Sequence, residues 1–126
     1  MKTIIKTSLA PAPIGPYSQA VVVGNMLYAS GQICINPETG QLDNSDIPTE
    51  AARVMVNISN LLNEAGFDFS HVVKTSIFLS DMNHFAVVNQ VYSTYFKGDF
   101  PARETVAVLG LPKNVNIEIS VIACKF

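Results

Sequence analysis

The chain has 126 residues, which at roughly 100–200 residues per domain reads as one domain over residues 1–126. Hydrophobic residues make up 48% and charged residues only 14%, against a usual charged share of about 25%. Either the core is unusually rich or part of the surface is buried against other copies, and the second reading is preferred. A net charge of −2 gives no basic footprint for nucleic acid. The longest apolar runs fall far short of the roughly 18–20 residues that cross a bilayer, and no secretory apolar segment follows Lys2 and Lys6. Cys34 and Cys124 have no metal-ligand spacing and read as reduced thiols. A cytoplasmic protein with no membrane or nucleic-acid partner is expected.

In chain order, Pro11, Pro13 and Pro16 stiffen the approach to Tyr17. Val21–Val23, Gly24-Asn25 and Met26–Ala29 predict a β-hairpin, because Gly-Asn between apolar runs favours a two-residue turn. Ser30-Gly31-Gln32 should end its second strand. Residues 35–40 then predict a strand end and a turn.

A helix is predicted from Pro48 to Ala65, with Ala51, Val54, Met55, Ile58, Leu61, Leu62 and Ala65 on one stripe. Asp46 suits the N-cap and Gly66 the position after the helix. Val72–Leu79 predicts a strand. A second helix is predicted from Asn83 to Lys97, burying Phe85, Val88, Tyr92, Tyr95 and Phe96. Strands are expected from Arg103 to Leu109 and from Val115 to Ala123, the latter alternating cleanly. This order predicts an α+β fold with both helices on one face of a mixed sheet. No third helix remains for the opposite face, so a second subunit is its natural cover.

Several polar residues interrupt these patterns. Glu118 projects opposite the apolar row of the last strand. It is either a solvated carboxylate or, if an oligomer buries that face, a desolvated base. Arg103 and Thr105 share one face of their strand, and the planar guanidinium suits either a carboxylate ligand or a salt bridge. Asn89 lies on the apolar stripe of the second helix, where it either braces a loop or reads a ligand. Tyr17 and Ser30 sit beside glycines in stiff loops. His71 and His84 are read as structural or exposed. Asp43, Asp46, Glu50 and Glu64 are read as helix-end or surface charge. There is no P-loop, dinucleotide fingerprint, zinc spacing or serine nucleophile elbow.

The ordered set Ala10–Gln19, Ser30-Gly31-Gln32-Ile33, Val73-Lys74-Thr75, Phe85–Asn89 with Tyr92, Phe100–Arg103, Leu111-Pro112-Lys113 and Ile117-Glu118-Ile119 resembles the RidA family, also called the YjgF family. The resemblance covers the full chain. It implies a chorismate-mutase-like fold with a six-stranded sheet, assembled as a homotrimeric barrel with sites between subunits. The implied activity is hydrolysis of reactive 2-imino and enamine acids, 2-iminobutanoate and 2-iminopropanoate, to 2-keto acids and ammonia. No metal or organic cofactor is implied.

Matched by position, Arg103 would bind the substrate carboxylate and Glu118 would activate water. Tyr17 joins these two as a catalytic residue lining the cleft, while Asn89, Ser30, Gly31 and Thr105 would contact substrate. The chain departs from the family pattern at Thr105, where cysteine is common, and at Cys34, where proline is common. Cys34 is thereby expected to bring a thiol near the cleft. Glu104 is unusual beside Arg103 and is expected to compete for its charge, and Ser120 replaces a frequent glutamate. The alternative reading is a non-catalytic trimer that binds a 2-keto acid and regulates a protein partner. A ribonuclease, another activity attached to the family, is disfavoured because Lys and Arg total only 8.

Overall fold

Gly24 has φ +59, the left-handed geometry that a tight hairpin turn needs, and the turn aligns Val23 with Met26. The computed structural model describes residues 1–126 and contains eight longer elements. These are β1 (Lys2–Ile5), β2 (Ala20–Val23), β3 (Met26–Ala29), α1 (Ile47–Glu64), β4 (Val72–Leu79), α2 (Phe85–Ser93), β5 (Ala102–Ala107) and β6 (Ile117–Cys124). The strands form one sheet in the order β1-β2-β3-β6-β4-β5. Only β4 and β5 run parallel, and α2 supplies the crossover between them. The expected mixed six-stranded sheet with two helices is therefore present.

The core lies between the sheet and the helices. Ile117, Ile119, Val121 and Ala123 point from β6 into it and meet Val54, Met55, Ile58 and Leu62 of α1 with Val88 and Tyr92 of α2. The other face carries Ile122, Ser120 and Glu118 from β6 with Phe78 from β4. Apolar side chains remain open to solvent there: Tyr28 is 47% exposed and Val106 44%.

α1 starts and stops on its predicted signals. Asp46 accepts a hydrogen bond from Thr49 N at 2.8 Å. At the other end Gly66, at φ +77, donates to Asn63 O, and Phe67 N donates to Leu62 O at 2.8 Å. That is a Schellman cap.

The structure adds one strand and shifts several element ends from their expected places. β1 was not anticipated: three of its four residues are exposed, so it carries almost no burial pattern. α2 ends at Ser93, not Lys97. Ser93 Oγ donates to Gln90 O and Thr94 Oγ1 to Val91 O, while the next amides donate three residues back, so the helix tightens and ends. β5 ends at Ala107 rather than Leu109, and β6 begins at Ile117 rather than Val115. A short turn with Lys113 and Asn114 both at φ +56 precedes β6. No helix is long and apolar enough to cross a membrane.

Candidate active site

Two separate crevices hold the expected site residues other than Thr105. The first, of about 420 Å³, is lined by Tyr17, Gln19, Ser30, Gly31, Pro112 and Glu118, among others. Its loops are laced to β6. Gln32 N donates to Ile119 O at 2.8 Å, and Ile119 N returns a bond to Gln32 O. This holds the Ser30-Gly31 backbone against Glu118. A Cβ built on Gly31 would lie 2.8 Å from Glu118 Cδ and 3.0 Å from Cγ. Glycine lets the carboxyl stand there, in the space that a Cβ would take.

Glu118 is half-buried, and burial alone raises its pKa above the ordinary 4.5. Tyr17 is 47% exposed, and its hydroxyl accepts a hydrogen bond from Ile14 N at 3.2 Å. The phenolic hydrogen is thus left to donate elsewhere. Ser30 Oγ donates to Ser18 O at 2.6 Å and keeps its lone pairs free. The approaching loop is fixed by Gln19, whose side chain binds Thr7 N, Thr7 O, Ala10 O and Pro11 O. Nothing in the spacing around Gln19 marks it as a site residue beyond its place in the Ala10–Gln19 motif. Its near-complete burial is what makes it a scaffold for the cleft.

The second crevice, also of about 420 Å³, is lined by Asn89, Tyr92, Ser93, Phe100, Pro101 and Arg103. Arg103 Nη1 donates to Asn89 Oδ1 at 2.8 Å. The amide therefore touches the guanidinium, and the remaining guanidinium donors are free. Thr105 lies one pleat further along β5, facing Ile77. Its hydroxyl is buried without a hydrogen-bond partner, and it lines neither crevice.

Sheet register fixes the relation between the crevices. Arg103 pairs with buried Thr75 and points to the helix side. Glu118 pairs with Phe78 and points to the other side. In one chain these two groups face opposite sides of the sheet.

Three other readings are corrected. Glu104 does not approach Arg103, because it alternates to the opposite face and binds Lys74 Nζ at 2.8 Å and the Ser76 hydroxyl. Cys34 turns into the core with 0% exposure, and desolvation pushes its thiol up to about 11. It adds no reactive sulfur to the cleft. Glu50 is not surface charge: it is 0% exposed and accepts from Asn116 N, Ile117 N and Asn116 Nδ2. The signal was its phase, since Glu50 precedes Val54 by one helical turn on the apolar stripe.

Residues 7–125 match the family described as Endoribonuclease L-PSP. The chain is 47% identical over 123 residues to the 2-iminobutanoate/2-iminopropanoate deaminase of Rattus norvegicus, covering 98% of this chain and 90% of that protein. It is 52% identical over 120 residues to a Lactococcus lactis protein named as a candidate regulator, AldR, covering 95% of each. Among solved structures, E. coli TdcF with bound serine superposes with a TM-score of 0.95 at 37% identity, covering 98% of this chain and 99% of that one. The chain belongs to the Endoribonuclease L-PSP family, the same family that its motifs mark as RidA or YjgF.

Proposed function

We propose that the protein is a homotrimeric hydrolase that converts short 2-imino and enamine acids to 2-keto acids and ammonia, at sites shared between neighbouring subunits. The observation that carries this reading is the division of the chemistry: Arg103 with Asn89 on one side of the sheet, Glu118 with Tyr17, Ser30 and Gly31 on the other. A small ligand spans both crevices only if a second copy brings its Glu118 cleft to the Arg103 crevice. The open apolar sheet face supports such an assembly. The deaminase name of the rat relative supports the reaction, and the serine bound by TdcF supports a small carboxylate ligand. The reading sets the chemistry in the cytoplasm, in keeping with two free cysteines.

In this mechanism the free guanidinium donors of Arg103 grip the substrate carboxylate and fix the C=N carbon. Glu118, ionised, takes a proton from water as the water oxygen adds to that carbon. The proton passes to nitrogen. As the C–N bond breaks, Glu118 takes the hydroxyl proton of this carbinolamine and returns it to nitrogen, so that ammonia leaves and the C–O bond becomes the carbonyl of the keto acid. Tyr17 has a hydrogen to donate to the oxygen or nitrogen, and Ser30 can accept one. Thr105 belongs to the substrate pocket only if its buried hydroxyl turns toward the ligand on assembly.

The test couples the protein to a threonine dehydratase and records keto-acid release. Arg103→Ala and Glu118→Gln are each expected to lose the acceleration. Unfolding and refolding the two variants together should restore part of it, because mixed assemblies contain some sites with both groups intact. No recovery from correctly refolded mixed trimers would overturn the shared site. Full activity of Arg103→Ala would overturn the carboxylate anchor. A second reading, favoured by the likeness to AldR, is a keto-acid-binding regulator; saturable 2-ketobutyrate binding without imine turnover would select it.

A further inference from the structure

Phe85, Asn89 and Tyr92 follow one another at i, i+4 and i+7 along α2, so three different side chains form one row above β5. All three meet Arg103. The guanidinium carbon lies 5.6 Å from the Phe85 ring centre and 5.2 Å from that of Tyr92, and Nη1 reaches Asn89 Oδ1 at 2.8 Å. No carboxylate pairs with this cation: the chain's lysine and arginine ion pairs join Arg53 to Asp43 and Lys74 to Glu104. Its charge rests on two ring faces and an amide oxygen.

The Tyr92 ring is itself held in place. Its hydroxyl donates to Thr75 Oγ1 at 3.0 Å, and both residues are buried. Thr75 is also the residue paired with Arg103 across the sheet. The contacts thus close a circuit from β5 to β4, from β4 to α2, and back to the guanidinium. Ring faces attract a cation without consuming N–H donors, so every donor that Asn89 does not take stays available. An arginine already held gives up less rotamer freedom when it grips a ligand.

We infer that Tyr92 and Phe85 are positioning residues that pre-set the Arg103 guanidinium and thereby set the affinity for 2-keto and 2-imino carboxylates. This rests on the reading of Arg103 as the carboxylate anchor. The test measures calorimetric binding of 2-ketobutyrate, and KM and kcat for imine hydrolysis, on the assembled protein. Tyr92→Leu should weaken binding and raise KM by about five- to tenfold with little change in kcat. Tyr92→Phe keeps the ring and should restore both to within about twofold of the unaltered protein. Because Tyr92 is buried, Phe85→Leu provides a second variant at a half-buried ring, with a smaller loss in the same direction.

If Arg103→Ala abolishes binding while Tyr92→Leu and Phe85→Leu bind like the unaltered protein, the inference falls and the anchor stands. A fall in kcat at constant KM also overturns it. If Tyr92→Leu does not fold, Phe85→Leu decides alone. Unchanged binding by Arg103→Ala would remove the anchor and the inference together.

Discussion

The Glu118 carboxyl fills the space that a side chain on Gly31 would need, with Cδ only 2.8 Å from where a Cβ would stand. Gly31→Ala must therefore displace the carboxyl, and a shift of about 1 Å in a catalytic group can cost 10²-fold. We expect kcat for imine hydrolysis to fall roughly ten- to hundredfold. The melting temperature should stay within a few degrees, because the moved group lies at the edge of a cleft. Unaltered kcat in a folded Gly31→Ala protein would show that the reaction does not use the carboxyl where it stands.

The pH profile should carry the signature of Glu118. Burial raises its pKa above 4.5, and in the proposed reaction the carboxyl must be ionised to act as base. The acid limb of kcat/KM is therefore expected above 4.5, with activity rising as the carboxyl loses its proton. The folded chain holds this proton more tightly than the unfolded chain does. Its contribution to stability consequently declines as pH rises from 4.5 through the folded pKa. Glu118→Gln should flatten that decline in a denaturation series taken across the interval. A slope unchanged by the substitution would assign the effect to another group.

Glu50 makes a different kind of prediction, about folding rather than turnover. Its buried carboxylate satisfies two backbone amides and one side-chain amide where β6 begins. Glu50→Ala leaves these donors without a partner and opens a cavity, at a cost of about 3 kcal/mol. Glu50→Gln keeps the volume and one acceptor, so it should cost roughly half as much. Urea denaturation of the two variants measures both. Equal stability of Glu50→Ala and the unaltered chain would contradict the hydrogen-bond account.

How much of this was legible in the sequence depends on whether the signal was local. α1 was readable because Asp46, the apolar stripe and Gly66 lie within one short window and act on neighbouring backbone. α2 was overextended because its apolar period continues through Tyr95 and Phe96, while the hydroxyls of Ser93 and Thr94 compete for its last carbonyls. Glu50 reads as solvated because an acidic residue in a first helical turn ordinarily is; its phase with Val54 signals burial, but its amide donors at Asn116 and Ile117 are distant in sequence. Tyr17, Ser30, Gly31 and Glu118 do share one cleft, as do Asn89 and Arg103. Their separation onto two sides of the sheet needed the pairings of β4 with β5 and β6, which alternation within single strands does not reveal.

The buried carboxylate of Glu50 has no cation for a neighbour, only amide hydrogens fixed by the start of a strand. Because that carboxylate is fully buried, added salt screens the attachment only weakly. The Lys74–Glu104 pair, exposed in the single chain, is by contrast weakened there as ionic strength rises. The joint between α1 and β6 is therefore the less sensitive of the two to the ionic medium.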